Sequence, residues 1–134
     1  MICVLDTNVI ADLIVNIEPV VASFERAIIN QDRLILPHAV YYEVQRGLKW
    51  RQATRKEQIF EEQIIPRLNL TEITLDDWQQ AANYWALAVS QGKQLSDVDL
   101  MIAALTKRLD AILVTSDKDF DLLPIQRINW RLAV

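Results

Sequence analysis

Acidic side chains stand at four separated places in this sequence, each where an apolar, strand-like run ends or within or at the start of a helix-like run. They are Asp6, Glu43, the pair Asp97 and Asp99, and Asp117. Residues that follow parallel strands can meet at one edge of a sheet. Carboxylates brought that close repel one another unless a divalent cation lies between them. The pattern therefore predicts a magnesium or manganese site, and such a site favours phosphate chemistry.

Each of these acids also has an ordinary structural explanation. Asp6 suits the N-cap of the helix that follows it, and Asp99, three residues after Ser96, completes the pattern of a capping box. Glu43 could be an exposed helical glutamate, and Asp117 could form a turn after a strand. These explanations must all hold at once, and capping accounts neither for the second acid two residues before Asp99 nor for an acid in the apolar surroundings of position 43. We therefore favour a shared metal site.

The chemistry of this site follows from its ligand type. Oxygen donors without cysteine or clustered histidine select a hard cation, so the expected metal is Mg²⁺, with Mn²⁺ as a substitute. The single His38 is expected to be structural or exposed, which leaves the activation of water to the metal. Asp6 and Asp99 would hold the main ion, Glu43 would orient it or deprotonate a bound water, and Asp117 would serve a second ion. Four polar neighbours are expected to hydrogen-bond the acids or the phosphate: Thr7, Asn8, Thr115 and Ser116.

Short apolar runs alternate with helical patterns along the chain. Strands are predicted at residues 2–5, 33–36, 70–73, 111–115 and 126–128. Helices are predicted at residues 7–15, from Pro19 onwards, and at 38–50, 54–65, 75–89 and 98–109. This alternation implies right-handed crossovers and an α/β fold class, a three-layer α/β/α domain with a central, mostly parallel sheet of four to five strands. Ligands bind beyond the carboxyl ends of such strands, where Asp6 and Asp117 would lie.

The strongest amphipathic helix is predicted before Gln91-Gly92-Lys93. Its apolar residues recur at spacings of three and four, namely Leu75, Trp78, Ala82, Trp85 and Val89. The two tryptophans are expected to lie in the core or in a dimer interface and not to stack on bases.

The composition sets outer bounds. The 134 residues fit a single domain spanning 1–134, and the net charge of −4 weakens a role in RNA binding without excluding it, because metal would neutralise part of the acidity. Cys3 lies in an apolar run and is expected to pack as a small hydrophobe. With one cysteine, no membrane-spanning run and no export signal in view, the expected location is the cytoplasm.

Four motifs contain the acids. They are Leu5-Asp6-Thr7-Asn8, then Pro37-x-x-x-Tyr41-Tyr42-Glu43-Val44-x-Arg46-Gly47-Leu48, then Asp99-Leu100-Met101-Ile102-Ala103-Ala104, and Val114-Thr115-x-Asp117-x-Asp119-Phe120. In this order and at this chain length they resemble a PIN-domain nuclease, and more narrowly a VapC-type toxin of a bacterial toxin–antitoxin pair. The resemblance covers nearly the whole chain.

The resemblance implies a magnesium-dependent endoribonuclease that hydrolyses RNA phosphodiester bonds. It also implies a VapB-type antitoxin that lies in a groove and blocks the acidic site, and a homodimer. By position, Asp6 and Asp99 match the family's two most regular metal ligands, and Glu43 matches its second acid. Asp117 matches the fourth acid, which is often Asn or variable in the toxins. Two further acids are auxiliary candidates for metal binding: Asp97 and Asp119.

A basic stretch follows the second motif. It comprises Arg46, Lys49, Arg51, Arg55 and Lys56. These residues could contact RNA phosphates, or they could form a solvated helix face balanced by Glu57, Glu61 and Glu62. Trp50 in this stretch could stack on a base, pack against an antitoxin or belong to the core.

Two other kinds of protein also use a cluster of acidic residues. A receiver-like or adaptor domain would use it, without enzymatic activity, to bind an ion and a partner, but it would need an acidic pair after the first strand and has no place for Glu43. An aspartate-nucleophile phosphatase needs Asp-x-Asp, and position 8 is Asn. The nuclease is therefore the preferred interpretation.

Overall fold

Five parallel strands form the sheet in residues 1–132, the part of the chain that the computed structural model describes. They are β1 (Ile2–Leu5), β2 (Arg33–Pro37), β3 (Asn69–Thr71), β4 (Ile112–Val114) and β5 (Gln126–Ile128). Their order is β3-β2-β1-β4-β5, and every neighbouring pair is parallel. The predicted parallel α/β sheet is thus confirmed. The last two residues of the predicted single domain, at positions 133 and 134, lie outside the described residues.

The central strand β1 is apolar because it is paired with a strand on each edge and lies beneath helices on both faces of the sheet. Cys3 pairs in register with Leu34 of β2 and Ile112 of β4, and Val4 and Leu5 have no exposed surface. The expectation that Cys3 packs as a small hydrophobe is confirmed. Burial raises the pKa of its thiol to about 11.

Helices cover both faces of this sheet. They are α1 (Thr7–Ile14), α2 (Glu18–Ile29), α3 (His38–Trp50), α4 (Thr54–Ile59), α5 (Leu75–Ser90) and α6 (Asp97–Arg108). Right-handed crossovers place the helices that link β1, β2 and β3 on one face, and α5 and α6, which link β3 to β4, on the other. Within residues 1–132 no single helix is long and apolar enough to cross a membrane, although α1 and α2, bent by 103°, pass that test of length and composition as a pair.

One predicted helix is shorter than expected. The pattern predicts a helix over residues 54–65, but α4 ends at Ile59 and continues as a π-helical turn (Phe60–Ile64) and a 3₁₀ turn (Ile65–Arg67). Pro66 cannot donate a backbone hydrogen bond, and its ring clashes with the carbonyl four residues earlier, so the regular α-helical hydrogen-bond pattern ends before it. The wider turn buries both Phe60 and Ile64.

Helix α5 buries a different face from the one that its apolar stripe predicts. Its buried residues are Asp77, Ala81, Tyr84 and Ala88. The two alanines let α5 pack closely on α6, the helix that it contacts most. Trp78 and Trp85 are instead about half exposed, and Trp50 of α3 is 88% exposed, so the core alternative is wrong for all three tryptophans.

A buried carboxylate joins the start of α5 to the end of α6. Asp77 accepts a hydrogen bond from Arg108 Nε at 2.8 Å, and Asp77 and Thr74 form a reciprocal capping box. Burial alone would raise the pKa of Asp77, but the guanidinium and the Thr74 amide hold it below its ordinary value. This pair fixes how α5 lies on α6.

Replacing Asp77 should therefore be costly. Asp77→Asn should lower the free energy of unfolding by about 2–4 kcal/mol, because it leaves Arg108 without its buried partner. Urea denaturation measures this change. Asp76→Asn alters the neighbouring, exposed acid and should change stability by less than about 0.5 kcal/mol, so equal losses in the two variants would contradict the assignment.

Candidate metal centre

The predicted acids gather at the carboxyl edge of the sheet, where the strand order reverses between β1 and β4. Asp6 directly follows β1, and Thr115 directly follows β4. The Asp6 amide donates to the carbonyl of Val114 at 3.1 Å, which continues the pairing of the two strands into the site. A reversal of this kind leaves a crevice at the sheet edge, the usual ligand site of such folds.

The Asp6 carboxylate is buried and held at both oxygens. Oδ1 accepts from the amide of Thr7 at 2.7 Å, and Oδ2 accepts from the Thr115 hydroxyl at 2.7 Å and the Asn8 side-chain amide at 3.0 Å. The capping explanation for Asp6 is therefore correct, since Oδ1 caps α1. The metal role of Asp6 stays a prediction.

Asn8 and Thr115 link this carboxylate to the loop after β4. Asn8 Oδ1 accepts from the amide of Ser116 at 3.2 Å, and the Asp117 amide donates to the Thr115 hydroxyl at 3.0 Å. Asn8 and Thr115 thus bond an acid directly, as expected, whereas Ser116 reaches Asp6 only through Asn8.

Glu43 reaches the same edge from α3. The Thr7 hydroxyl donates to Glu43 Oε1 at 2.6 Å, and Arg46 lies 3.6 Å from Oε2. Arg46 also lies over the ring of Tyr42, 5.2 Å from its centroid. Glu43 therefore has a cationic neighbour beside its second oxygen.

Asp99 comes from the first turn of α6, whose N-terminus faces this edge because α6 runs antiparallel to β4. Its amide donates to the Ser96 hydroxyl at 3.1 Å, which confirms Ser96 as the cap. Burial and the negative charge of Asp6 raise the pKa of Asp99 to about 6, with Asp117 and Glu43 adding to the repulsion. Burial likewise raises the pKa of Asp6, against its hydrogen bonds and with the charges of Asp117 and Glu43. Four acids from four separate elements thus repel one another here.

The two auxiliary candidates lie apart from these contacts. Asp97 is exposed and lines a groove between α5 and α6. Asp119 is exposed, and its amide donates to Asp117 Oδ1 at 2.9 Å, so the turn explanation for Asp117 is correct. Metal roles for Asp97 and Asp119 stay predictions. His38 is exposed, as expected.

The donor set suits a hard cation with few protein ligands. Among residues 1–132, no three His, Cys, Asp or Glu side chains are arranged as a ready-made cage. Mg²⁺ commonly binds through one or two carboxylates and keeps several waters. Two crowded carboxylates with raised pKa values, Asp6 and Asp99, fit that requirement, because a cation between them would relieve their repulsion.

The family of the chain follows from its sequence profile. The PIN domain profile matches residues 3–125, a span that contains all four motifs. The chain belongs to the PIN domain family. The receiver-like alternative has no support from this membership.

The solved structures similar to this PIN domain include chains of toxin–antitoxin complexes. VapBC-1 from nontypeable Haemophilus influenzae is 26% identical over 97% of this chain and 98% of that chain, with a TM-score of 0.77. VapBC2 from Rickettsia felis, bound to a DNA fragment from its promoter, is 23% identical over 97% and 99%, with a TM-score of 0.82. Mycobacterium tuberculosis VapC20, described as a toxin that cleaves the sarcin–ricin loop, is 17% identical over 92% and 95%, with a TM-score of 0.64. No protein with a curated description matches.

A groove of about 230 Å³ lies beside Glu43, between α1 and α3. Apolar side chains of both helices line it, and Arg51 and Lys56 stand at its rim. Lys49 instead pairs with Glu57 at 2.6 Å, which fits the balanced helix face, and Arg55 is exposed outside the groove lining. Of the predicted basic stretch, Arg51 and Lys56 therefore lie at the groove, whereas Lys49 and Arg55 do not.

One buried acid near this groove was missed. Asp12 on α1 lines it and accepts two hydrogen bonds from Arg131, at 2.6 and 2.8 Å. The sequence does contain a signal for this site, since Asp12 lies among apolar residues of a short helix. A buried carboxylate of this kind needs a cationic or hydrogen-bonding partner. The sequence gives no means of choosing Arg131, 119 residues away.

The crowding of the acids predicts a pH dependence of stability. The folded pKa of Asp99 lies above its unfolded value, so the folded state takes up this proton first as the pH falls. Without divalent cations, lowering the pH from about 7 to about 5 should stabilise the protein relative to Asp99→Asn by on the order of 1 kcal/mol, allowing for solvent screening. Because the pKa of Asp77 is lowered, the protonation of Asp77 changes the free energy of unfolding only at lower pH.

Chemical denaturation of both proteins across this range measures the difference. Mg²⁺ should flatten the wild-type profile by relieving the repulsion. A difference that stays constant with pH would contradict the crowding of Asp99 with the other acids.

Proposed function

We propose that the chain is a magnesium-dependent endoribonuclease and the toxin of a VapBC-type toxin–antitoxin pair. The observation that supports this most strongly is the meeting of Asp6, Glu43, Asp99 and Asp117 at the strand-reversal edge of a PIN-family domain. Four mutually repelling carboxylates are expensive to keep unless they bind a cation.

We assign the role of each residue from its surroundings. Asp6 and Asp99 would hold the ion, which when bound supplies positive charge for the phosphate and lowers the pKa of water. The bonds from Thr7, Asn8 and Thr115 fix the Asp6 carboxylate in one orientation.

Glu43 would accept a proton from a bound water. Oε1 already accepts from Thr7, while Oε2 lies at the longer distance of 3.6 Å from Arg46 and keeps capacity for a further donor. Asp117, whose Oδ1 binds the Asp119 amide, would position a second ion or the substrate.

The groove beside Glu43 would receive the antitoxin. Its apolar lining suits the apolar face of a peptide, and its position lets a bound segment cover the acids. Solved VapBC complexes are structurally similar to this chain. A homodimer and a cytoplasmic location complete the proposal.

Removing either main ligand should abolish cleavage. Asp6→Asn and Asp99→Asn should each reduce the divalent-dependent cleavage rate by about three decades or more, because the transition state loses a metal ligand. Purified protein is incubated with total cellular RNA and Mg²⁺ or Mn²⁺, and new RNA ends are mapped. Circular dichroism checks that the variants fold.

Asp110→Asn is the matched control. Asp110 is exposed, precedes β4 at the opposite sheet edge, and adopts φ 50°, which Asn tolerates. It should cleave like the wild type. Full activity of Asp99→Asn, or cleavage that persists with a chelator, would contradict the proposal, as would labelling of Asp6 by a small acyl-phosphate donor.

The groove rim should contribute to RNA binding. Arg51→Gln should weaken RNA binding and reduce the slope of log affinity against log salt by about one, because one phosphate contact is lost. Fluorescence anisotropy with a labelled, mixed-sequence single-stranded RNA measures this in the Asp99→Asn background. Arg55→Gln, which lies outside the groove lining, is the control. If the two variants weaken RNA binding equally, the proposal that RNA passes along the groove rim is contradicted.

A further inference from the structure

Three flat side chains lie in a row on the outer face of α3. Tyr42, Arg46 and Trp50 follow one another at intervals of four residues, so each lies about 6 Å further along the helix axis than the one before. Tyr42 is 57% exposed, the Arg46 side chain 58% and Trp50 88%. We call this row the α3 ladder. Because all three side chains face solvent, the packing of the domain does not explain the row.

The first two members of the ladder are already stacked. Arg46 Cζ lies 5.2 Å from the centroid of the Tyr42 ring, so the guanidinium is held over the aromatic face before any ligand binds. A guanidinium can both stack on a planar ring and bind a phosphate. Trp50 adds a larger aromatic face one turn further on. Aromatic rings and guanidinium groups are the surfaces on which proteins stack unpaired bases.

The ladder leads away from the acidic site. Glu43 lies seven residues before Trp50, so the two side chains leave α3 within about 20° of each other and about 10 Å apart along its axis. Arg46 lies between them, 3.6 Å from the second oxygen of Glu43. An RNA chain with one phosphate at the acids would therefore pass its neighbouring bases along the ladder.

Gly47 lets a second cation lie close to the ladder. A Cβ at this position would lie 3.4 Å from Arg51 Nη2, so the Arg51 guanidinium lies against the side of α3, between the ladder and the groove. Glycine destabilises a helix interior. Within residues 1–132, no core side chain would come within 4 Å of that Cβ, so packing does not require the glycine. Its absent side chain instead leaves room for Arg51, which can bind phosphates.

We propose that the α3 ladder binds unpaired bases of the RNA beside the bond that is cut. This rests on the proposed ribonuclease function and adds to it a binding surface outside the acidic site. Bases stack on Trp50 and on the Arg46–Tyr42 pair, while Arg51 contacts the phosphates between them. Bases in a duplex have their faces covered, so the ladder selects single-stranded segments.

The charge of this surface favours a nucleic acid over an apolar protein segment. Arg46 belongs to the ladder and Arg51 borders it, whereas the apolar side chains lie in the groove on the other side of Arg51. Two acids of this region are already paired, Glu43 with Arg46 and Glu57 with Lys49. The ladder thus offers cations for phosphates and planes for bases, the two features that single-stranded nucleic acids need together.

RNA binding tests the ladder at Trp50. Fluorescence anisotropy measures the affinity for a labelled, mixed-sequence single-stranded RNA in the Asp99→Asn background. Trp50→Ala should weaken binding about tenfold because one base loses its stacking surface, and Trp50→Phe should keep most of the affinity because it keeps a ring. The slope of log affinity against log salt should be the same in Trp50→Ala as in its parent, because no charge is removed.

An abasic RNA separates stacking from phosphate contacts. An RNA of equal length that has riboses and phosphates but no bases should bind Trp50→Ala and its parent equally, and so should a duplex RNA. If Trp50→Ala lost as much affinity for the abasic RNA as for the intact one, the stacking would be refuted. Unchanged affinity of Trp50→Ala for the intact RNA would also overturn the proposal and would assign Trp50 to a protein partner.

These measurements do not depend on cleavage. If the wild type cleaves RNA and Trp50→Ala binds it normally, the ladder alone is wrong. A wild type that cleaves no RNA with Mg²⁺ or Mn²⁺ would contradict the proposed function instead, while weaker binding by Trp50→Ala would still support the ladder.

Discussion

The bonds that hold the buried Asp6 carboxylate connect the two central strands of this PIN domain. Its oxygens accept hydrogen bonds from the Thr7 amide at the start of α1, the side chain of Asn8 and the Thr115 hydroxyl after β4. The site therefore rests on the pairing of β1 with β4, the middle of the sheet. A carboxylate held by rigid strands is already oriented for a ligand, so it loses little conformational entropy when the ligand binds.

Capping and ligand binding are not competing roles at this edge. Asp6 caps α1, Ser96 caps α6 through the Asp99 amide, and Asp117 binds the amide of Asp119. Helix starts gather at the carboxyl ends of parallel strands, so the side chains that suit helix starts also gather there. The local structural explanations of Asp6 and Asp117 were correct and still did not account for the proximity of the four acids.

The sheet topology and the position of the acids at its carboxyl edge were predictable from the sequence, because both depend on local signals. These signals are apolar runs, helix caps and the alternation of strands with helices. Local signals do not say which of Asp97 and Asp99 is the more buried, because residues two positions apart on a helix point about 200° away from each other. The structure exposes Asp97 and half-buries Asp99. The prediction for the buried face of α5 was wrong because two stripes of residues on this helix share the helical period, and the choice between them depends on how closely the alanines of α5 pack against α6. The turn at Phe60 and the Asp12–Arg131 pair likewise depend on distant parts of the chain.

The repulsion among Asp6, Asp99 and their acidic neighbours has a consequence for the life of the protein in a cell. Under the proposed metal binding, a chain without divalent ions would carry that repulsion as lost stability, so it would open more often and expose its backbone to proteases. Its rate of degradation would then rise when free magnesium falls, and its abundance would follow the ionic state of the cell.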